Sequence, residues 1–406
     1  MSRIPPIALY IHIPFCETKC PYCDFNTYSH IEPLMPGYVA ALIREIELWG
    51  DLLEHPTVRT VFFGGGTPSY LPSEDISQIM QAANRSFEIE PDGEVTLESN
   101  PGDFTPAKLS TYLESGINRL SIGVQTFDDD LLKLLGRRHS AQGALDAYRM
   151  AQDAGFDNIS IDLMYGLPNQ TLEGWNSTLK QALELRPPHI SMYCLTLEEG
   201  TPMETWVRLG KMPDPDPDLA ADMYETTQDA MRDAGYRHYE ISNWALEDME
   251  SRHNIIYWRT GPYVGVGPGA HSYLGDIRFA NLKQPREYIS RMTNAEGSNS
   301  SPDSSGIVDL ESDLEKTIKM VPVVDTTEKI DRQLAMAENL MMGLRLDDGI
   351  SIPDFRTRFN QTPSEAYETI IPDLTNLGLL KTTDDRLLLT QRGRILGNEV
   401  FSRFFE

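Results

Sequence analysis

Residues 10–25 read YIHIPFCETKCPYCDF, and this stretch places Cys16, Cys20 and Cys23 in one short loop behind a strand-like run. Iron–sulfur clusters are normally held by four cysteine thiolates. The only other cysteine, Cys194, lies far along the chain and has no cysteine near it in sequence. A cubane cluster bound by this loop would therefore have one iron without a protein ligand, free to bind a small molecule.

A structural zinc site is the alternative interpretation of the three cysteines. Such sites are closed by four ligands, often three cysteines and one histidine. His12 and His30 are close enough in sequence to supply the fourth ligand. The loop by itself leaves both interpretations open, and the motifs around it favour the cluster.

The length, composition and net charge of the chain limit its possible fold and its possible partners. It has 406 residues, 40% of them hydrophobic, and a net charge of −26. This length predicts two or more domains, and the charge opposes nonspecific binding to nucleic acid or to an anionic membrane surface. Neither a membrane-spanning apolar run nor a signal-peptide stretch is evident. We therefore expect a cytoplasmic protein, in which clustered cysteines indicate metal binding or catalysis rather than a disulfide.

Short β-rich runs alternate with amphipathic helical patterns through the first two-thirds of the chain, which predicts β-α units and a parallel sheet. The strand-like runs are Ile7–Ile13, Thr60–Phe63, Glu94–Glu98, Arg119–Gly123, Asn158–Leu163 and Ile190–Leu195. The helical patterns are Pro36–Leu53, Ser73–Phe87, Pro106–Ser115, Ala141–Ala154 and Leu172–Leu185. Six units are fewer than the eight of a closed barrel, so the sequence predicts an α/β fold with a partial (β/α)6 barrel.

The composition divides the chain near residue 294. Residues 1–293 are predicted to form the barrel and an extension of it, which includes a helix at Asp218–Ala234. Residues 294–326 are polar and then acidic, which predicts a flexible linker. Residues 327–406 are predicted to form a C-terminal winged-helix-like α+β module. Its helices are expected at Glu328–Leu344, Ser351–Phe359, Ser364–Leu377 and Arg392–Phe405, and its hairpin at Leu379–Thr383 and Arg386–Thr390. The many acidic residues of this module argue against DNA binding.

Glycine and polar motifs follow the predicted strands, at the position where parallel β-α architectures bind ligands. In chain order they are the cysteine loop, the sequence GGGTP at 64–68, Glu98, Gln125, Asp162 and Thr196. A backbone of glycines can approach a ligand closely. Carboxylate, amide and guanidinium groups could hold the hydroxyl, ammonium and carboxylate groups of a nucleoside with an amino-acid tail.

Taken together, these motifs resemble the radical SAM superfamily and, more narrowly, its oxygen-independent coproporphyrinogen III oxidase group. The resemblance is carried by the cysteine loop, GGGTP at 64–68, ESNP at 98–101, SIGVQTF at 121–127, GRRH at 136–139 and DLMYGLP at 162–168. It runs from about residue 10 to residue 272 and resumes in the C-terminal module.

The resemblance implies a [4Fe-4S] cluster on Cys16, Cys20 and Cys23, with S-adenosylmethionine chelating the open iron through its amino and carboxylate groups. An electron from the reduced cluster would cleave the sulfonium bond and give methionine and a 5′-deoxyadenosyl radical. The positions that would surround this cofactor are Tyr10, Gly65, Gly66, Thr67 and Glu98. The oxidases hold a second S-adenosylmethionine, and the matching positions here are Tyr22, Gln125, Arg137, Asp162 and Thr196.

Two features set the chain apart from the oxidases. Phe25 stands where the oxidases carry an additional cysteine, and the chain starts shortly before the first strand, without their N-terminal extension. Residues 251–258, SRHNIIYW, instead resemble the His-Asn-x-x-Tyr-Trp signature of the heme chaperone branch of this group. This resemblance implies that His253 is an axial heme ligand flanked by aromatic residues. The alternative is a structural histidine with Tyr257 and Trp258 in the core.

The resemblance therefore implies a protein that binds heme and delivers it to apoproteins such as respiratory enzymes, using the cluster and S-adenosylmethionine. The implied partners are heme, a heme-accepting apoprotein and an electron donor, with no nucleic acid and with membrane contact only through a partner. The alternative is an oxygen-independent coproporphyrinogen III oxidase, which decarboxylates propionates by radical chemistry in heme biosynthesis. Phe25 and the sequence at 251–258 favour the chaperone.

Overall fold

The computed structural model describes residues 4–294 and 310–405. Its centre is a large, mostly parallel sheet in which the first six strands are neighbours in chain order. These strands are β1 (Ile7–Ile13), β2 (Thr57–Gly65), β3 (Glu88–Ser99), β4 (Arg119–Gln125), β5 (Asn158–Tyr165) and β6 (His189–Cys194). The helices between them are α1 (Met35–Leu52), α2 (Ser73–Ser86), α3 (Pro106–Glu114), α4 (Asp129–Leu134), α5 (Ala141–Ala154) and α6 (Leu172–Leu185). The predicted α/β class and partial (β/α)6 barrel are confirmed.

The strands of the barrel are buried because helices cover the outer face of the sheet. Each strand from β1 to β6 pairs in parallel with the next one. In β1 the apolar residues Ile7, Leu9 and Ile11 are fully buried, as expected for a strand in the middle of a parallel sheet. Since parallel strands all end at the same edge, the loops that follow them meet at one rim of the barrel.

Further strands extend the sheet at both edges of the barrel. They are β7 (Arg237–Glu240), β8 (Asn243–Ala245), β9 (Tyr263–Val266), β10 (His271–Leu274) and β11 (Ile277–Asn281). The helices of this extension are α7 (Pro202–Arg208), α8 (Pro217–Asp233), α9 (Arg252–Trp258) and α10 (Pro285–Asn294). Strand β9 pairs in parallel with β1, and β8 pairs antiparallel with β6. Within the described residues, β1 and β6 are therefore not paired with each other, and the barrel is open.

The predicted linker at 294–326 is in part regular structure. Residues 295–309 lie outside the described residues. After them come α11 (Leu310–Lys319) and β12 (Val324–Lys329), which pairs antiparallel with β11 at the edge of the large sheet. Ile318, Val321 and Val323 are buried in the barrel's hydrophobic core. The linker prediction was therefore wrong for residues 310–326, because a few well-spaced apolar residues are enough to dock an acidic segment.

The C-terminal module has its own hydrophobic core and a small antiparallel sheet with the order β13-β15-β14. Its strands are β13 (Ile350–Ser351), β14 (Leu380–Thr382) and β15 (Arg386–Leu389), and its first helices are α12 (Arg332–Gly343) and α13 (Ile352–Phe359). The predicted hairpin is confirmed. The two predicted helices around it are each broken, into α14 (Pro363–Ala366) and α15 (Ile370–Asn376), and into α16 (Gln391–Ile395) and α17 (Gly397–Ser402).

A buried carboxyl group joins α1 to the extension. The Glu45 side chain accepts hydrogen bonds from the backbone N–H of Gly267 at 2.8 Å, from Asn281 Nδ2 at 2.6 Å and from the Tyr288 hydroxyl. Burial outweighs these donors and raises the pKa of Glu45 to about 7. An ionisable side chain in the core therefore connects α1 to the extension through hydrogen bonds.

We expect Glu45 to make the folded protein more stable at pH 5 than at pH 8. Because folding raises this pKa from 4.5 to about 7, the stabilisation is complete below pH 4.5 and is lost as the pH rises through 7. Urea denaturation measures the free energy of unfolding at both pH values. From pH 5 to pH 8, this free energy should fall by roughly 3 kcal/mol less in Glu45→Gln than in the wild type. Glu47→Gln, on the same helix and partly exposed, is the control. Equal pH dependence in Glu45→Gln and the wild type would contradict the prediction.

Candidate functional site

A cavity of about 530 Å³ lies at the rim where the barrel strands end, and we call it the cysteine cavity. It brings together all but two of the predicted site residues. Those that line it are Cys16, Cys20, Tyr22, Cys23, Gly65, Gly66, Thr67, Glu98, Gln125, Arg137, Asp162 and Thr196. These residues come from the C-terminal parts of the six barrel strands and from the loops that follow them, as expected from the shared direction of the strands.

The cysteine thiols have polar donors beside them. The Thr67 hydroxyl donates to Cys16 Sγ at 3.5 Å, and Arg137 Nη1 donates to Cys20 Sγ at 3.6 Å. Burial raises the pKa of the Cys16 and Cys23 thiols. Since only the thiolate binds a metal, occupation of this site releases protons, and the neighbouring donors stabilise the sulfur charge that results.

The glycine turn after β2 is held directly against the cysteine loop. The Gly66 N–H donates to the Ile13 carbonyl at 2.7 Å, and the Thr67 N–H donates to the Phe15 carbonyl at 2.9 Å. A Cβ on Gly66 would lie 2.6 Å from the Phe15 carbonyl oxygen and 3.1 Å from Cys16 Sγ. Gly65 has a φ of 108°, which side chains rarely adopt. Glycine here lets the turn touch the loop that carries the cysteines.

Two carboxyl groups face the cavity from neighbouring regions of the sheet. Glu98 Oε2 accepts from the Gly65 N–H at 3.2 Å, and Asp162 accepts from the Ser121 and Ser160 hydroxyls at 2.7 and 3.1 Å. Burial, and then the charge of Asp162, raise the pKa of Glu98 to about 8; burial also raises the pKa of Asp162. A cationic ligand near Glu98 would reverse this shift and favour the carboxylate.

The end of β4 departs from regular strand geometry at the cavity. The register between β4 and β5 shifts between Gly123 and Gln125, and Gln125 has a φ of 68°. Arg137 Nη2 donates to the Gly123 carbonyl at 2.7 Å, so the guanidinium is fixed beside this irregular turn. Bulges and left-handed residues at strand ends re-aim side chains at functional sites. Of the predicted GRRH cluster, Gly136, Arg137 and Arg138 line the cavity, and Arg138 forms ion pairs with Glu17 and Asp103.

Neither histidine considered for a zinc site faces the cysteines. His12 is buried, with Nδ1 bonded to the Tyr10 hydroxyl at 3.1 Å and Nε2 to the Asn26 carbonyl at 3.0 Å. Neither His12 nor His30 lines the cysteine cavity. Within residues 4–294 and 310–405, no three or more His, Cys, Asp or Glu side chains lie close enough together to hold one metal ion. The donors fit a multinuclear cluster, whose thiolates bind separate irons, better than a four-ligand zinc site.

Two predicted site residues lie outside the cysteine cavity. Tyr10 lies on the other side of Gly65 and Glu98, where it lines a second cavity. His253 is fully buried, with Nδ1 bonded to the Thr60 hydroxyl and Nε2 to the Tyr257 hydroxyl, both at 2.8 Å. Burial lowers the pKa of His253 to about 3. Both ring nitrogens are occupied, so this geometry does not support the expected axial role of His253 and agrees with a structural histidine. Tyr257 and Trp258, however, are half-buried and line the second cavity instead of lying in the core.

We expect His253→Ala to lower the free energy of unfolding by about 2–4 kcal/mol, because it removes a buried ring and leaves the Thr60 and Tyr257 hydroxyls without their partner. Urea denaturation measures this change. The neighbouring variant Arg252→Ala removes an exposed side chain and should stay within about 0.5 kcal/mol of the wild type. A His253→Ala protein of wild-type stability would contradict the structural role.

Sequence reasoning missed two side chains at the end of β6. Tyr193 and Cys194 both line the cysteine cavity and are exposed. The sequence gives Cys194 no partner cysteine and no motif to indicate that this thiol would line the cavity. Both residues precede Thr196, so the rule that ligands bind beyond the strand ends could have found them. Cys194 remains separate from the cysteine loop in sequence, and it comes from the opposite edge of the barrel.

The second cavity, which we call the interdomain cavity, measures about 580 Å³ and is mostly apolar in its lining. It lies between the extension and the C-terminal module. Its lining includes Tyr10 from β1, Tyr257 and Trp258 from α9, His271 from β10, and Met341 from α12. Phe25, Gly65 and Glu98 line both cavities, so the two are neighbours on either side of these residues.

Comparisons with known families agree with this architecture. The chain matches the radical SAM superfamily over residues 10–182 and the HemN C-terminal domain over residues 330–396. The heme chaperone HemW of Bacillus subtilis (strain 168) is 36% identical over 398 residues, which cover 98% of each chain. HemW of Haemophilus influenzae is 39% identical over 299 residues, which cover 71% of this chain and 77% of that protein.

A solved structure has a similar fold over nearly the whole chain. It is the coproporphyrinogen III oxidase HemN of Escherichia coli, with a TM-score of 0.80 and 22% sequence identity. The superposition covers 98% of this chain and 90% of that one. At this level of identity, the likeness shows that the barrel, the extension and the C-terminal module have a common arrangement.

Proposed function

Since this chain belongs to the radical SAM superfamily and, within it, to the family of the heme chaperone HemW, we propose that it binds heme and delivers it to apoproteins such as respiratory enzymes. The observation that carries the proposal is the pair of neighbouring cavities. One collects the cysteines and polar groups, and the other is apolar and large enough for a planar organic ligand. The names of the near full-length relatives support the same function.

The residues of the cysteine cavity fit the cofactors of the superfamily. Cys16, Cys20 and Cys23 would hold a [4Fe-4S] cluster, and Gly65, Gly66, Thr67 and Glu98 would hold S-adenosylmethionine. Tyr22, Gln125, Arg137, Asp162 and Thr196 would line the place of a second S-adenosylmethionine. When bound, the cluster supplies an electron to the sulfonium of the cofactor.

The side chains of this protein prepare the cavity for such ligands. Thr67 and Arg137 donate to cysteine sulfurs and would stabilise their charge. Gly66 keeps the glycine turn in contact with the cysteine loop. Glu98, with its pKa raised to about 8, would give up its proton when a cationic ligand binds beside it. These groups would bind and orient the cofactors.

The partners of this function are a heme-accepting apoprotein and an electron donor for the cluster. The net charge of −26 disfavours nucleic acid as a partner. No helix in the described ranges is long and apolar enough to cross a membrane. We propose that any contact with a membrane is made through a membrane-bound acceptor and that heme is transferred in the cytoplasm.

The experiment that tests this function offers the reconstituted protein both heme and coproporphyrinogen III under anaerobic conditions. We expect stable heme uptake, followed by transfer to an apoprotein with higher heme affinity, and no decarboxylation of coproporphyrinogen III. Absorbance spectra follow the heme, and chromatography of the porphyrins detects vinyl products. Absence of heme binding would contradict the chaperone function.

Coproporphyrinogen III oxidase activity is the second candidate, because the fold of HemN covers nearly the whole chain. Phe25 argues against it. This side chain is 63% exposed and lines both cavities, at the position where the oxidases carry an additional cysteine. Formation of vinyl groups from coproporphyrinogen III, with S-adenosylmethionine consumed, would establish the oxidase instead.

A further inference from the structure

The wall of the interdomain cavity that belongs to the extension is one face of the antiparallel part of the large sheet. In β10, His271 and Tyr273 line the cavity, whereas Ser272 and Leu274 between and after them are buried on the other side. This is the alternation of a β-strand. Tyr263 of β9 is paired with Tyr273 and lines the same cavity. The sheet therefore presents a histidine and aromatic rings on one surface.

The part of the lining that comes from helices is mostly apolar, apart from Glu338 of α12, which is paired with Arg278, and Arg358 of α13. Tyr257 and Trp258 lie at the end of α9, and Met341 and Met342 lie on α12 of the C-terminal module. Methionine and aromatic side chains are well suited to a flat, polarisable ligand, because both make extensive contacts with ring faces. His253 contributes from behind this wall, since its hydrogen bond fixes the Tyr257 hydroxyl.

Two cations of the cavity have no carboxylate partner in the described part of the chain. Within the described residues, Lys283, which follows β11, forms no ion pair. Arg358 of α13 donates to the hydroxyls of Thr260 and Tyr273 and lies over the ring of Phe359. By contrast, Arg278 is neutralised by Glu328 at 2.9 Å and Glu338 at 2.8 Å. In a chain with 61 acidic and 35 basic residues, two such cations at one apolar cavity indicate an anionic ligand.

His271 is the histidine of this cavity whose ring is free to bind. It is exposed to the cavity, and no other group of the described residues forms a hydrogen bond with its ring nitrogens. Partial burial, Lys283 and Arg278 lower the pKa of His271, which favours the neutral imidazole that ligates metals. His12 also lines the cavity, but both of its ring nitrogens are hydrogen-bonded.

We propose that heme binds in the interdomain cavity, with His271 as an axial ligand of the iron and with Lys283 and Arg358 as partners of the two propionates. This proposal rests on the proposed function, because heme is the cargo that it assigns. Heme is an anionic, planar ligand that contains iron. The cavity offers cations for its propionates, apolar walls for its ring and an available imidazole for its iron. The proposal also gives His253 the role of a positioning residue that holds Tyr257 in the wall.

Titration of the reconstituted protein with hemin and with metal-free protoporphyrin IX separates the two parts of the proposal. His271→Ala should weaken hemin binding by at least about tenfold and change its absorbance spectrum, while protoporphyrin IX binding stays the same. Lys283→Ala and Arg358→Ala should each weaken both ligands by about 10–100-fold, because both porphyrins carry the propionates.

The controls remove an arginine and a histidine that lie outside the cavity. Arg356→Ala lies on α13 beside Arg358, and His30→Asn changes an exposed histidine near the cysteine loop. Both should bind hemin like the wild type, and all variants should assemble the cluster to the same extent. A wild type that binds no hemin would overturn both the function and this site. Hemin binding that is unchanged in His271→Ala, with an unchanged spectrum, would overturn the site alone.

Discussion

Serine in place of Cys16, Cys20 or Cys23 should leave the protein unable to hold a [4Fe-4S] cluster. Each thiolate would bind a different iron, and the loop has no spare cysteine to replace the one that is lost. Anaerobic reconstitution with iron and sulfide measures the effect through bound iron, acid-labile sulfide and the brown absorbance of the cluster. The wild type should approach four irons and four sulfides per chain, and each variant should retain only a small fraction.

Cys194→Ser is a demanding control for this experiment. Its thiol lines the same cavity and is exposed, but it comes from the end of β6 and not from the cysteine loop. We expect this variant to assemble the cluster like the wild type. Full cluster assembly in any of the three loop variants would contradict the assignment. Uptake of one zinc ion without sulfide by the wild type would establish the structural zinc site instead.

Glu98→Gln should weaken the binding of S-adenosylmethionine to the cluster-loaded protein by about 10–100-fold. Glu98 is half-buried at the cavity wall, and its carboxyl group already accepts from the Gly65 N–H. A glutamine keeps the size of the side chain but cannot become anionic beside a cationic ligand. Equilibrium dialysis with labelled S-adenosylmethionine measures the affinity, and iron content confirms that the cluster is intact.

The pH dependence of this affinity gives a second test of Glu98. Because its pKa is raised to about 8, binding of a cation below that pH must release a proton. Wild-type affinity should therefore increase from pH 6 to pH 8, and Glu98→Gln should lack this increase. Glu198→Gln, an exposed residue of the same cavity, should behave like the wild type. Identical affinities and pH profiles in Glu98→Gln and the wild type would remove Glu98 from the ligand site.

The barrel could be predicted in detail because each of its units is locally encoded. The bounds of β1, α5 and α6 agree with the sequence patterns, since alternating or helically spaced apolar residues set them directly. The segment after residue 310 could not be predicted in this way. Its helix and strand are acidic and mostly polar, and they are held by a few buried residues and by pairing with β11.

The two cavities also differ in how well the sequence predicts them. The cysteine cavity could be predicted because its residues follow consecutive parallel strands, and the fold brings such positions together without further information. The interdomain cavity combines Tyr10, Tyr257, His271 and Met341, which no local pattern connects. The sequence offered a structural His253 as an alternative but could not identify its partner, because Thr60 lies far away in the chain.

Gly65 and Glu98 form a boundary between the two cavities, and this boundary has a consequence for how the protein could release heme. One face of this boundary lines the cysteine cavity, where we propose S-adenosylmethionine, and the other lines the interdomain cavity, where we propose heme. A ligand that draws a proton from Glu98 on one side changes the electrostatic potential on the other. We therefore expect occupancy of the two chambers to be energetically linked, and equilibrium requires such a link to act equally in both directions.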